Sequence, residues 1–172
     1  MHTTEQHSIA LSEVMHLKRN RKELILALLL PLAVGGLSAL LTRGSMQMFG
    51  TLNKPPLSPP GWLFPVVWTI LYLCMGLASY YAARSTAPNT EKRSALTLYG
   101  VQLFFNFFWS IIFFNLQQYL LAFFWLLALW LLIYLTLHSF LKVDRRAGFL
   151  LVPYLAWVTF AGYLNFGIFL LN

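Results

Sequence analysis

The sequence predicts an all-α membrane protein, a five-transmembrane-helix bundle, and three observations carry that expectation. Of the 172 residues, 59% are hydrophobic and only 10% are charged, whereas a soluble domain carries about 25% charged residues. Five apolar runs, 24–42, 62–83, 95–115, 119–141 and 148–170, span 19 to 23 residues each, and a helix needs roughly 20 to cross about 30 Å of hydrocarbon. Buried strands usually end after about 4–8 residues. Helices also satisfy every backbone group internally, which lipid demands.

Residues 1–23 form an N-terminal cytoplasmic tail, and 24–172 form the transmembrane domain. In the tail, Ile9, Leu11, Val14, Met15 and Leu17 have imperfect helical spacing. Residues 1–17 therefore read either as a short amphipathic surface helix or as disorder. The basic cluster Lys18, Arg19, Arg21 and Lys22 precedes the first apolar run. That run exceeds the roughly 7–15 residues of a signal-peptide core, so it reads as an uncleaved first helix. Loop 1 follows with NKPPLSPPGWLFPVVW, residues 53–68. Its prolines 55, 56, 59 and 60 lie outside the hydrocarbon, where a missing N–H costs little and a fixed φ stiffens the chain. Pro65 falls in the first turn of the second helix, where proline is tolerated. The loops joining helices 3 to 4 and 4 to 5 are very short and force antiparallel neighbours.

The charges then sort by side. Arg84, Lys92 and Arg93 join helices 2 and 3, and Lys142, Arg145 and Arg146 join helices 4 and 5. With the N-terminal cluster, all ten lie on one side, and the other side has Arg43 and Lys54. The positive-inside rule makes the N-terminus cytoplasmic and places the C-terminus outside. The net charge of +7 is thus a topology signal, with contact to anionic lipid headgroups beside it. It does not point to nucleic acid.

Several chemistries are excluded. The single cysteine, Cys74, rules out an intramolecular disulfide and a multi-Cys metal site, and it reads as packing. All five acidic residues (Glu5, Glu13, Glu23, Glu91, Asp144) lie outside the spans. His138 sits near the cytoplasmic end of helix 4, as an interfacial residue rather than a proton relay. His2, His7 and His16 have no metal-ligand spacing. Paired carboxylates, a Ser/His/Asp set, and Walker or dinucleotide glycine motifs are absent. No metal is expected. The odd helix number and the lack of an internal repeat argue against an inverted-repeat transporter.

The polar groups within the spans are Gln102, Asn106 and Asn165, together with Trp68, Trp109, Trp125, Trp130 and Trp157. At 1.5 Å per residue, Trp68, Trp109, Trp125 and Asn165 lie ~8–9 Å below the loop-1 ends of their helices, and Asn106 lies ~13 Å below. Trp157 is near the midplane. Gly35 and Gly36 thin helix 1 at a similar level. Trp68 shares a face with Phe64 and Tyr72, Asn106 with Gln102 and Trp109, and Trp157 with Ala161, Leu164 and Asn165. One at a time, such residues serve as interfacial belts or as glue between helices. Together they describe an aromatic-walled pocket under loop 1 with few polar groups, the character of a small-molecule site. A flat, conjugated, apolar ligand would stack on its tryptophans. Gly35-x-x-x-Ala39 and Ala78-x-x-x-Ala82 permit close helix approach, for internal packing or self-assembly.

Three blocks carry a resemblance: NKPPLSPPGWLFPVVWTILYLCMGLASYY, LYGVQLFFNFFWSIIFF and VPYLAWVTFAGYLN. Over about residues 30–170 the chain resembles the TspO/translocator-protein family, also called tryptophan-rich sensory proteins or peripheral-type benzodiazepine receptors. The resemblance implies a five-helix bundle, expected to be a homodimer in a bacterial cell membrane. It implies binding of porphyrins, sterols or benzodiazepine-type ligands in a pocket roofed by loop 1. Phe64, Val67, Asn106, Trp109, Ala161, Leu164 and Asn165 match pocket-lining positions. Trp68 and Trp157 match the two tryptophans tied in some members to light-dependent breakdown of protoporphyrin. The expected role is sensor, regulator or carrier of tetrapyrroles, with a light-dependent porphyrin-degrading enzyme and a membrane scaffold as alternatives. No cofactor is required; the porphyrin is ligand or substrate. Two differences stand out. Leu57 occupies the position of a family tryptophan in K-P-x-W-x-P-P. The family's sterol pattern needs a basic residue after the fifth-helix tyrosine, and Tyr163 is followed by LNFGIFLLN. A similar pattern does run from Leu77 through Tyr80 to Arg84, of a kind that chance supplies readily.

Overall fold

Loop 1 and the spans fold as α1 (His2–Thr42), α2 (Met46–Thr51), α3 (Leu63–Arg84), α4 (Asn89–Ser110), a π-helical turn over Ile111–Asn115, α5 (Tyr119–Val143), α6 (Arg145–Phe149) and α7 (Val152–Leu171). The structure is a computed structural model that describes the backbone of residues 2–172 and the side chains of residues 20–45 and 49–172. Among the described residues, five helical stretches are long and apolar enough to cross a membrane: Asn20–Thr42, Leu63–Arg84, Asn89–Asn115, Tyr119–Val143 and Arg145–Leu171. The backbone of residues 2–17 is helical and continuous with α1, whereas the side chains on which the amphipathic reading turns lie outside the described residues.

Several helix boundaries extend past the apolar runs, and the first span already begins at Asn20 rather than 24. The third span starts at Asn89 rather than 95, after Pro88 at the N-cap, because polar residues continue a helix beyond the lipid. The fourth continues to Val143 rather than 141. The fifth begins as α6, where the Asp144 carboxylate accepts from Arg146 N at 2.7 Å, an N-cap that satisfies an orphan donor. Loop 1, read as a stiff proline segment, also contains the short helix α2.

α1 and α3 run antiparallel and interlock through glycine. Pro31 is buried inside α1 and has no N–H to offer the Ala27 carbonyl four residues earlier. Gly76 of α3 packs there: a Cβ on Gly76 would stand 2.8 Å from both Ala27 O and Leu28 Cα. The glycine thus brings α3 against a carbonyl that the proline left without its helical donor, a Cα–H···O type of approach. Two turns nearer loop 1, a Cβ on Gly35 would overlap the Tyr72 ring. Ala78 and Ala82 are fully buried, so that small-residue pair serves packing inside the bundle.

α5 packs between α4 and α7, and α1 lies along α3 and α4. α3 and α7 meet mainly through large aromatic side chains, Trp68 on Tyr154 (6.1 Å between centroids) and Phe64 on Trp157 (6.0 Å). Outward-facing positions are apolar: Leu26, Leu40, Phe124 and Leu170 are all exposed. In water such a continuous apolar surface would aggregate; in a bilayer it is the solvated face.

Gly76→Ala places a methyl against backbone that cannot yield, and overpacking of this kind costs about 1–3 kcal/mol. It should lower the melting temperature in detergent. Gly100→Ala, which meets no atom within 4 Å, should leave the melting temperature unchanged or slightly raised.

Candidate ligand-binding site

Held together at Gly76 and Gly35, α1 and α3 leave space between them toward loop 1. That space, closed on a third side by the end of α4, is a cavity of about 420 Å³, within the roughly 300–1,000 Å³ of small-molecule sites. Gly35 and Ala39 form the α1 wall; Phe64, Trp68 and Tyr72 form the α3 wall; Trp109, Phe114 and Phe49 complete it. Ser38 and Thr42 also line it, but Thr42 Oγ1 donates to Ser38 O at 2.9 Å, within their own helix. Arg43 stands at the rim.

The π-helical turn shapes the α4 wall. Its wider winding brings the consecutive Phe113 and Phe114 around Phe49, at centroid distances of 6.0 and 5.5 Å. Trp109 stacks on Phe113 at 5.4 Å. Asn115, which ends the turn, accepts from Ser45 Oγ at 2.8 Å and donates to Leu41 O at 3.1 Å. This ties α4 to the end of α1.

The floor is a buried polar chain across three helices. Tyr72, its ring against Gly35 and stacked on Trp68 at 5.5 Å, donates its hydroxyl to Asn106 Oδ1 at 2.8 Å. Asn106 Nδ2 donates to the Tyr154 hydroxyl at 3.0 Å, and that hydroxyl donates to Gln102 Oε1 at 3.0 Å. Gln102 Nε2 lies 3.9 Å from the Met75 sulfur. In a low-dielectric interior such a chain is strong when every member is paired and costly when one is lost.

Beyond Trp109 lies a second cavity of about 30 Å³, lined by Ala161, Leu164, Asn165, Phe64, Lys54 and Ser58 among others, with room for about one water. Trp109 Nε1 donates to Asn165 Oδ1 at 3.2 Å, and Asn165 Nδ2 donates to Tyr119 O at 2.8 Å. Trp109 is thus a fixed partition between the two cavities.

Loop 1 is fastened over both. Asn53 N donates to Asn172 Oδ1 at 3.0 Å, and Asn172 Nδ2 donates back to Asn53 O at 2.9 Å. The Tyr163 hydroxyl donates to Pro56 O at 2.9 Å. Pro55 fits over Gly167, where a Cβ would come within 2.6 Å of its ring. Leu57 follows Pro56 with φ at 66°, a turn position that favours glycine or asparagine. It is 83% exposed and lines neither cavity.

Of the nine ligand-binding candidates from the sequence, Phe64, Trp68 and Trp109 line the larger cavity, and Phe64, Trp109, Ala161, Leu164 and Asn165 line the smaller. Three line neither. Asn106 is held within the floor chain, bonded on both sides of its amide. Val67 is half-buried against the core. Trp157 packs behind Phe64, with its Nε1 buried and unpaired. Trp125 and Trp130 are anchored to Phe105 O and Thr159 Oγ1 at helix seams. His138 is exposed beside Tyr134. Sequence reasoning missed Phe49, Phe114 and Tyr154, whose roles depend on the π turn and on the α3–α7 spacing. Among the described residues, no group of His, Cys, Asp or Glu could hold a metal ion.

Tyr72→Phe keeps the ring on Gly35 but leaves Asn106 Oδ1 buried without its donor, a loss of about 1–3 kcal/mol. Thermal unfolding in detergent should show the destabilisation with helical content unchanged.

A profile of the TspO/MBR family matches residues 27–171. The chain is 42% identical over 156 residues to the tryptophan-rich protein TspO of Chlorobaculum tepidum, covering 89% of this chain and 99% of that one. It is 38% identical over 126 residues to a tryptophan-rich sensory protein of Cereibacter sphaeroides, covering 73% and 77%. It is 37% identical over 140 residues to the translocator protein of Bos taurus, covering 80% and 83%. With its five membrane-crossing helices and its loop-1 cavity, the chain is an integral, multi-pass membrane protein that belongs to the TspO/MBR family.

Proposed function

We propose that this protein binds porphyrin-like ligands in the cavity beneath loop 1 and acts as a sensor, regulator or carrier of tetrapyrroles. The observation that carries the reading is the shape and chemistry of that cavity. Small residues, Gly35 and Ala39, stand on one side, and the aromatic rings of Trp68, Trp109, Phe64 and Phe114 stand on the others. A flat conjugated body fits such a slot and stacks on its rings. Sterols and benzodiazepine-type ligands share the need for apolar walls. The polar groups nearby are spent on one another, in the floor chain and in the Trp109–Asn165–Tyr119 link. That suits binding better than acid–base chemistry, which needs a positioned titrating group.

Titrating the purified protein with protoporphyrin should quench its tryptophan fluorescence saturably. Trp68→Ala removes a stacking wall and should weaken binding by up to about tenfold, since an aromatic contact contributes about 0.5–1.5 kcal/mol. Trp157→Ala, acting through Phe64, should weaken it less. Absence of saturable quenching would sink the reading.

A second reading, light-dependent breakdown of the bound porphyrin by dioxygen, is favoured by the stacking of Trp68 on Tyr72, whose hydroxyl is held by Asn106. The excited porphyrin would supply the photochemistry and Trp68 and Trp157 the electron-transfer partners. Illuminating the aerobic complex should then bleach the porphyrin absorbance, and a Trp68→Phe/Trp157→Phe double variant should slow the bleaching. Equal rates would count against the enzyme reading and leave binding untouched.

A further inference from the structure

The loop-1 face has two basic residues, and the fold puts both at the cavities. Arg43 lines the larger cavity and Lys54 the smaller. The Lys54 ammonium lies 4.7 Å from the centroid of the Phe49 ring, and Phe49 is a wall of both cavities. A cation held over an aromatic face stays near it. Ser58, beside Lys54, already donates its hydroxyl to Pro55 O at 2.7 Å, so Lys54 is the donor left for an anion there.

No acidic side chain among the described residues can reach these cations. Glu23 pairs with Arg84 at 3.0 Å, Glu91 lies in the first turn of α4 and Asp144 caps α6, all on the opposite face. Topology does not ask for basic residues on the loop-1 face, because the bias set by positive charge puts them on the other. Arg43 and Lys54 therefore stand against that bias, at the mouths of two apolar cavities, without an acidic side chain paired to either among the described residues.

We infer that Arg43 and Lys54 form an anion-reading rim: the site selects acidic amphiphiles whose flat apolar body fills the cavity and whose carboxylates meet these two cations at the loop-1 face. Arg43 offers a planar fork that can hold a carboxylate through two hydrogen bonds, and Lys54 offers a point charge. This inference rests on the ligand-binding reading above and adds to it the two residues that set selectivity by charge.

The test compares protoporphyrin, a diacid, with its dimethyl ester, which has the same conjugated body and no charge. Both are titrated into the full chain in uncharged maltoside micelles, with tryptophan quenching as readout. The diacid should bind about tenfold tighter, and Arg43→Gln and Lys54→Gln should each cost it about two- to fivefold while leaving the ester unchanged, the scale of solvent-exposed ion pairs. Molar salt should shrink the diacid's advantage. Equal affinity of diacid and ester overturns the rim but leaves the ligand-binding reading standing; failure of both to bind saturably overturns the reading itself. An advantage that survives in the double variant also overturns the rim. The same pair titrated in phosphatidylcholine and in phosphatidylglycerol nanodiscs, whose headgroups both carry phosphate and differ in net charge, separates the ligand carboxylate from a net-anionic headgroup. A retained advantage of the diacid supports the inference, and a loss confined to the anionic lipid assigns the two cations to headgroups and overturns it.

Discussion

The architecture beneath loop 1 depends on where the Tyr72 ring sits. Gly35 gives it space, Trp68 covers one face, and Asn106 holds its hydroxyl. With the ring fixed there, α1 and α3 stay in contact below it and leave a slot above it. The Asn106–Tyr154–Gln102 chain extends the same constraint to α4 and α7. Each amide and hydroxyl in it is specific to one register of the helices, because an unpaired polar group in a low-dielectric interior is costly. The lower contact, where Gly76 meets the carbonyl freed by Pro31, sets how closely the two helices approach in the first place.

The cavity roof is built differently. Loop 1 is tied at one end to α7 by the paired amides of Asn53 and Asn172 and at the other to α4 by Asn115 and Ser45. These bonds lie among exposed residues, so water competes for them, whereas the floor is sealed. Such a division suits a site whose base is rigid and whose cover can exchange its hydrogen bonds with solvent. Leu57, in a left-handed turn and 83% exposed, projects from this cover without touching the cavities. The missing loop tryptophan therefore leaves the walls of the slot intact in this structure.

The site's aromatic residues divide by what their polar atoms do. Trp109, Trp125 and Trp130 each spend their N–H on a helix neighbour, as expected for residues that fasten spans together. Trp68 offers a ring face to the slot. Trp157 keeps a buried, unpaired N–H behind Phe64, a rarity among buried polar groups. In lone sequence these five look alike, since each is a tryptophan within a span.

The sequence by itself determined the class, the helix number and the basic face. Length and hydropathy decide whether a segment crosses lipid, and both are local properties. It also marked Phe64, Trp68, Trp109, Ala161, Leu164 and Asn165 as residues of one region, because depth and helical face follow from counting along each span. Caps were less legible: Asn89 and Asp144 begin helices outside the hydrocarbon, where hydropathy carries no signal. Tertiary structure alone decided that Asn106 is tied up in the floor chain, that Trp157 stands behind Phe64, and that Phe49, Phe114 and Arg43 reach the slot. Those placements depend on the rotation of one helix against another, on a π turn that sets the faces of Phe113 and Phe114, and on a glycine contact that fixes the gap between α1 and α3. None of these is encoded in the periodicity of a single segment.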